Sequence, residues 1–122
     1  MKTFLAVYLG TEESTHQKWK SLNEKERHER EKQGVEAWMN WGKKHQLAIK
    51  DNGTPLGKTK RVDSSGISDT RNNLTGYAIV EAPNAEEAAK MFLNHPHFTI
   101  FPGDGVEIIE CLNLEEVMKK KT

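Results

Sequence analysis

The run TFLAVYL at residues 3–9 is apolar on both of its alternating faces: Phe4, Ala6 and Tyr8 on one, Leu5, Val7 and Leu9 on the other. Side chains in a strand alternate between the two faces of a sheet, so such a strand needs cover on both sides. Gly10 ends it. Any fold for this chain must bury both faces of its first strand.

The remaining elements follow from periodicity and turn chemistry. Residues 12–46 contain no proline, and their spacing predicts a helix over 23–45 preceded by a helical turn around 15–22. The first half of that helix, NEKERHEREK, is almost wholly charged and reads as solvated. From Gly34 onward, Val35, Trp38, Met39 and Gly42 share a face, with Trp41 and His45 at its edge. Strands are predicted at 47–51, 75–81 and 105–111, with a short exposed hairpin over 58–63 and 66–69. Asn84, with Glu87 three residues on, starts a second helix whose buried face is Ala85, Ala88, Ala89 and Phe92, and His95-Pro96 stops it. A short amphipathic helix over 113–120 closes the chain.

The order β-α-β-(hairpin)-β-α-β is an α+β, ferredoxin-like plan with an inserted hairpin. In that plan both main helices cover one face of the sheet. The second apolar face of residues 3–9 is then left open, and a patch of that kind marks an association surface. Two sheets packed face to face in a homodimer answer the need; a C-terminal helix folded over the open face is the monomeric alternative. The 122 residues fit one domain, with a core over 1–112 and a helical tail over 113–122.

Composition narrows the partners. Eighteen Lys and Arg balance 18 Asp and Glu, so nucleic acid and membrane surfaces are not expected partners. No stretch approaches the roughly 20 apolar residues of a membrane span, and the short apolar run near the start, followed by acidic residues, does not read as a signal peptide. The single cysteine, Cys111, has no partner for an internal disulfide and reads as an inert thiol on a buried strand face in a reducing, cytoplasmic compartment.

Two constellations carry chemistry. His95 and His97 flank a proline, with Asp104 at the start of the last strand, and can move a proton. Two imidazoles and one weak third ligand are a poor metal set, so no metal and no organic cofactor is expected. Trp38 and Trp41, with Tyr8 and Phe98, are placed to line an apolar pocket between the first long helix and the sheet; aromatic residues at helical spacing are equally ordinary core. Lys58, Lys60 and Arg61 form a small basic patch balanced by Asp63 and Asp69, read as a solvated strand face.

Four segments together resemble the YCII-related family: AWMNWGKK at 37–44, NGTPLGKTKRVDSSGISDT at 52–70, LTGYAIVEAPNAEEAAKMF at 74–92 and HPHFTIFPGDGVEIIE at 95–110. The resemblance implies a dimeric α/β barrel, which agrees with the face-to-face sheets inferred from residues 3–9. Some family members carry a His on the first helix and an Asp just after the second as an active pair. Here the corresponding positions hold Val35 or Glu36 and His95, so the pair is not reproduced. The Asp-Gly-Pro-Phe segment of many members reads here as Ser68-Asp69-Thr70-Arg71.

The functional expectation is a protein that binds a small molecule between the long helix and the sheet, with His95 or His97 as general acid or base. The competing expectation is a non-catalytic dimeric interaction module docking through the charged segment 23–32.

Overall fold

The computed structural model describes residues 1–121, with the side chains of residues 120 and 121 left out of the description. The end of the expected tail, Thr122, lies outside the described residues. The element order is β1 (Lys2–Leu9), α1 (Glu12–Trp19), α2 (Glu24–Lys44), β2 (Ile49–Asp51), β3 (Thr59–Asp63), β4 (Gly66–Thr70), β5 (Leu74–Ala82), α3 (Ala85–Lys90), α4 (Pro96–Thr99), β6 (Gly105–Cys111) and α5 (Leu114–Lys121).

Four strands form one sheet in the order β2-β5-β1-β6, and every pairing is antiparallel. β1 occupies the interior of this sheet, paired on both edges by β5 and β6. β3 and β4 pair only with each other, as the separate hairpin. The architecture is mixed α+β and agrees with a ferredoxin-like plan.

One sheet face carries the core. Phe4, Ala6 and Tyr8 from β1 alternate inward beside Ala78, Val80 and Ala82 from β5, and Ala88 and Phe92 close over them. Ala6 lies directly opposite Ala78. Side chains this small at the sheet centre leave room for the two indoles of α2, and Trp38 and Trp41 pack against the cluster. Burying a Phe or Val side chain fully gains about 1.5–3 kcal/mol, so Phe4 and Val80, both at 0% exposure, are major contributors.

The opposite face is uncovered in the single chain. Across it runs a row of three aliphatic residues in register: Ile79, Leu5 and Ile109. Ile109 is 48% exposed. Leu5 and Ile79 are half-buried, and Val7 is buried. The face that residues 3–9 were expected to need covered is thus open. Cys111, expected on a buried face, is exposed: it lies in the last pair of the β1–β6 ladder, at the sheet margin.

α2 starts on a capping box, in which the Asn23 side chain accepts from Glu26 N–H and the Glu26 carboxylate accepts from Asn23 N–H. The packed face of this helix is shifted by about one position from expectation. Gly34, Trp38 and Trp41 turn inward, whereas Val35 and Met39 are more than half exposed. The cause is Gly34, which is buried against the Phe101 ring; a Cβ there would come within 2.4 Å of it. On the second helix, which ends early at Lys90, Ala88 and Phe92 are buried while Ala85 and Ala89 are exposed, so its packed face is narrower than expected.

Candidate functional site

The site is built where α2, the end of β1 and residues 95–103 meet. β1 ends at Leu9, whose carbonyl accepts from two directions: Asp104 N–H at 2.8 Å and His97 Nε2 at 2.8 Å. A carbonyl can only accept, so Nε2 of His97 carries the proton. Gly103 N–H donates back to the His97 carbonyl at 2.9 Å. These bonds pin residues 95–104 against β1.

His95 does not end the preceding helix, as its position beside Pro96 suggested. It is the N-cap of the one-turn helix α4, and its Nδ1 accepts from His97 N–H at 3.0 Å. The sign of the helix-end effect is reversed: an imidazolium is favoured at a helix C-terminus and disfavoured at an N-terminus. His95 is fully buried. Burial, then the nearby His97 and His45, push its pKa down from 6.5 to about 3, so it is neutral at physiological pH.

Around His95 lies a closed aromatic shell. Its ring centroid is 4.4 Å from Trp38, 4.6 Å from Trp41, 5.2 Å from Tyr8 and 5.7 Å from Phe92. Trp41 is fixed in turn by donating its Nε1–H to the Met91 carbonyl at 2.7 Å. Two buried polar atoms in this shell have no protein partner among the described residues: His95 Nε2 and the Tyr8 hydroxyl. Burial also raises the Tyr8 pKa well above its ordinary value, so the phenol stays protonated.

The shell forms the back of an open groove of about 1490 Å³, between α2 and the loop at 101–103 on one side and the roots of the hairpin on the other. Tyr8, Trp38, His97 and Phe101 face it, with Val35 and Met39 at its edge. Phe101 sits 6.0 Å from Trp38 and 6.4 Å from Trp19, extending the aromatic wall. His97 is nearly buried, and desolvation lowers its pKa, opposed by the Leu9 carbonyl bond and by Asp104. Its Nδ1 has no hydrogen-bond partner among the described residues.

The residues expected at a site are therefore partly brought together. Tyr8, Trp38 and His97 share the groove. Trp41 and His95 stand behind it, in the closed shell. Phe98 is half-buried on α4 and lies outside the groove lining. Asp104 is at the surface, accepting from Ser14 Oγ at 3.1 Å and facing Lys18 at 3.6 Å. Phe101 and the hairpin roots were not expected at the site; an aromatic residue inside a turn-rich loop after a His-Pro-His segment is the one local signal that pointed to the former. Among the described residues no group of three or more His, Cys, Asp or Glu side chains is placed to hold a metal ion, and no helix is long and apolar enough to cross a membrane.

No family model matches the sequence, and no curated protein matches it. Among solved structures the chain is similar to a 5-chloro-2-hydroxyhydroquinone dehydrochlorinase from Burkholderia phenoliruptrix AC1100, in complex with 2,5-dihydroxybenzoquinone. The two share 15% identity over 93% of this chain and 97% of that one, with a TM-score of 0.54. At that identity the likeness is one of fold.

Proposed function

We propose that this protein is a YCII-related homodimer that binds a small planar organic molecule in the groove in front of Tyr8, Trp38 and Phe101. One observation carries this reading: a large open groove whose back wall is a continuous aromatic surface, with an imidazole among its lining residues. Ligand sites are mostly apolar walls with a few convergent polar groups. A flat ring stacked on such a wall gains area burial together with favourable aromatic geometry. The 2,5-dihydroxybenzoquinone bound by the fold neighbour is a molecule of this shape.

If the bound molecule is also turned over, His97 is the group that moves the proton, through its unbonded Nδ1. His95 is the positioning residue: it accepts from the His97 backbone and so sets the loop that carries the second imidazole. The homodimer is supported by the open row Ile79, Leu5, Ile109, which a second copy of the sheet would cover.

The test is a titration of the protein with 2,5-dihydroxybenzoquinone, read by the indole N–H resonances in a proton–nitrogen correlation spectrum. The expected result is a saturable shift of the Trp38 resonance larger than that of Trp41, with the affinity weakened at least tenfold in Phe101→Ala, which removes part of the wall and keeps the Trp38 reporter. Absence of any shift with this quinone and with simple naphthalene derivatives overturns the assignment.

A further inference from the structure

The groove has two unlike walls. Trp38, Phe101 and Tyr8 make one of them aromatic. The other is built from the roots of the hairpin, where cationic side chains gather. Their charges are not equally engaged. Lys60 is held by the Asp69 carboxylate on the neighbouring strand. Arg71 faces the Glu12 carboxylate at 3.7 Å. Both carboxylates that line the groove are thus already matched to a cation. Lys58 has neither a hydrogen bond nor an ion pair among the described residues, although it lines the same groove. The space in front of the aromatic wall therefore holds one uncompensated positive charge, in a chain whose formal net charge is zero.

An ammonium offers three donors and no acceptor, so the group that complements it is an anion. The aromatic wall selects a ring; the lysine across the groove selects a negative charge at that ring's edge. Extending the small-molecule reading above, on which this step rests, we infer that the groove takes an aromatic carboxylate, its ring against Trp38 and Phe101 and its carboxylate at Lys58. Lys58 is exposed, so the charge contributes selectivity rather than most of the affinity. Exposed ion pairs are worth little individually, which corresponds to a preference of about fivefold for the acid over a neutral molecule of the same shape.

The test compares 2-naphthoate with 2-naphthalenemethanol, its uncharged analogue, at low ionic strength, read by the Trp38 indole resonance. The expected result is binding of both, with the carboxylate about fivefold tighter and that advantage shrinking as salt is added. Lys58→Gln should bring the two affinities together without weakening the alcohol, and Lys58→Arg should restore the difference. Equal affinities in the unaltered protein, or a preference that survives Lys58→Gln, overturn the inference while leaving the small-molecule groove standing. Failure of both compounds to move the Trp38 resonance removes the groove reading and this inference with it.

Discussion

The Nδ1 atom of His95 accepts the backbone N–H of His97 at 3.0 Å, so one imidazole is locked as the cap of the turn that presents the other. That bond requires an unprotonated Nδ1, and the surrounding shell of Trp38, Trp41, Tyr8 and Phe92 supplies no carboxylate to balance an imidazolium.

Stability should therefore fall on acidification. In the unfolded chain His95 takes up a proton near pH 6.5, whereas in the fold it resists protonation down to about pH 3. The unfolded state binds more protons between these values, so its contribution to stability is intact above pH 6.5 and is lost progressively as pH drops towards 3, at up to about 1.4 kcal/mol per pH unit. His97 and His45, whose pKa values are also lowered, act in the same direction. Urea midpoints measured between pH 7.5 and 4.5 should fall with pH. His95→Asn, which can keep the cap acceptor without the titrating ring, should flatten that dependence. An unchanged slope in this variant would show that His95 is not its source.

Tyr8 carries a hydroxyl that is buried without a protein partner. A desolvated polar group with no hydrogen bond is a net cost, commonly about 1–3 kcal/mol. Tyr8→Phe removes that group and keeps the ring contacts to Trp38 and His95. It should leave stability unchanged or raise it by about 1 kcal/mol, measured by chemical denaturation. A loss of more than about 1 kcal/mol would mean that the hydroxyl is satisfied in solution.

Gly34 lies within a helix, where alanine is ordinarily favoured by about 1 kcal/mol. Here the expected sign is opposite, because the added methyl meets the Phe101 ring at 2.4 Å. Phe101 is hemmed by Trp19 and Trp38 and has little freedom to yield. Gly34→Ala should destabilise by about 1–3 kcal/mol. Combined with Phe101→Leu it should cost less than the two single changes added together. A double-mutant cycle in the denaturation free energies checks this coupling.

The open sheet face gives a prediction about assembly. Native mass spectrometry of the protein should show a species of twice the 13.9 kDa chain mass. Leu5→Lys sets a charge in the middle of the row formed by Ile79, Leu5 and Ile109 and should convert that species to a monomer. A monomer from the unaltered chain would show that the face is stable without a second sheet.

Much of the fold was legible because strand signals are local. Alternation and glycine set β6 at residues 105–111, and Asn84 with Glu87 set the start of α3. The face of α2 was not legible, since it is decided by Gly34 meeting Phe101, 67 residues away in sequence and on a loop with no periodicity. The candidate site divides in the same way. Tyr8, Trp38 and His97 stand out as aromatic and titratable residues, and the groove includes them. The roles of the two imidazoles depend on whether residue 95 ends one helix or begins another, a choice that Pro96 alone leaves open. The wall bearing Lys58 is legible only in three dimensions, because the hairpin reads on its own as a solvated ribbon.

That hairpin has a kinetic consequence. Its ladder from Thr59–Thr70 to Asp63–Gly66 is closed on itself and shares no strand with the four-stranded sheet. It is anchored at its root by Leu56 N–H donating to the Thr75 carbonyl, and by Gly53, whose φ of +66° brings it against the Tyr77 backbone. A unit with few buried contacts and exposed backbone bonds opens at a small fraction of the global unfolding free energy. Its amides should therefore exchange with solvent deuterium well before those of β1 and β5. The two banks of the groove thus differ in local stability: the one bearing Lys58 rests on a hairpin that opens without the core, and the aromatic one rides on the protected sheet.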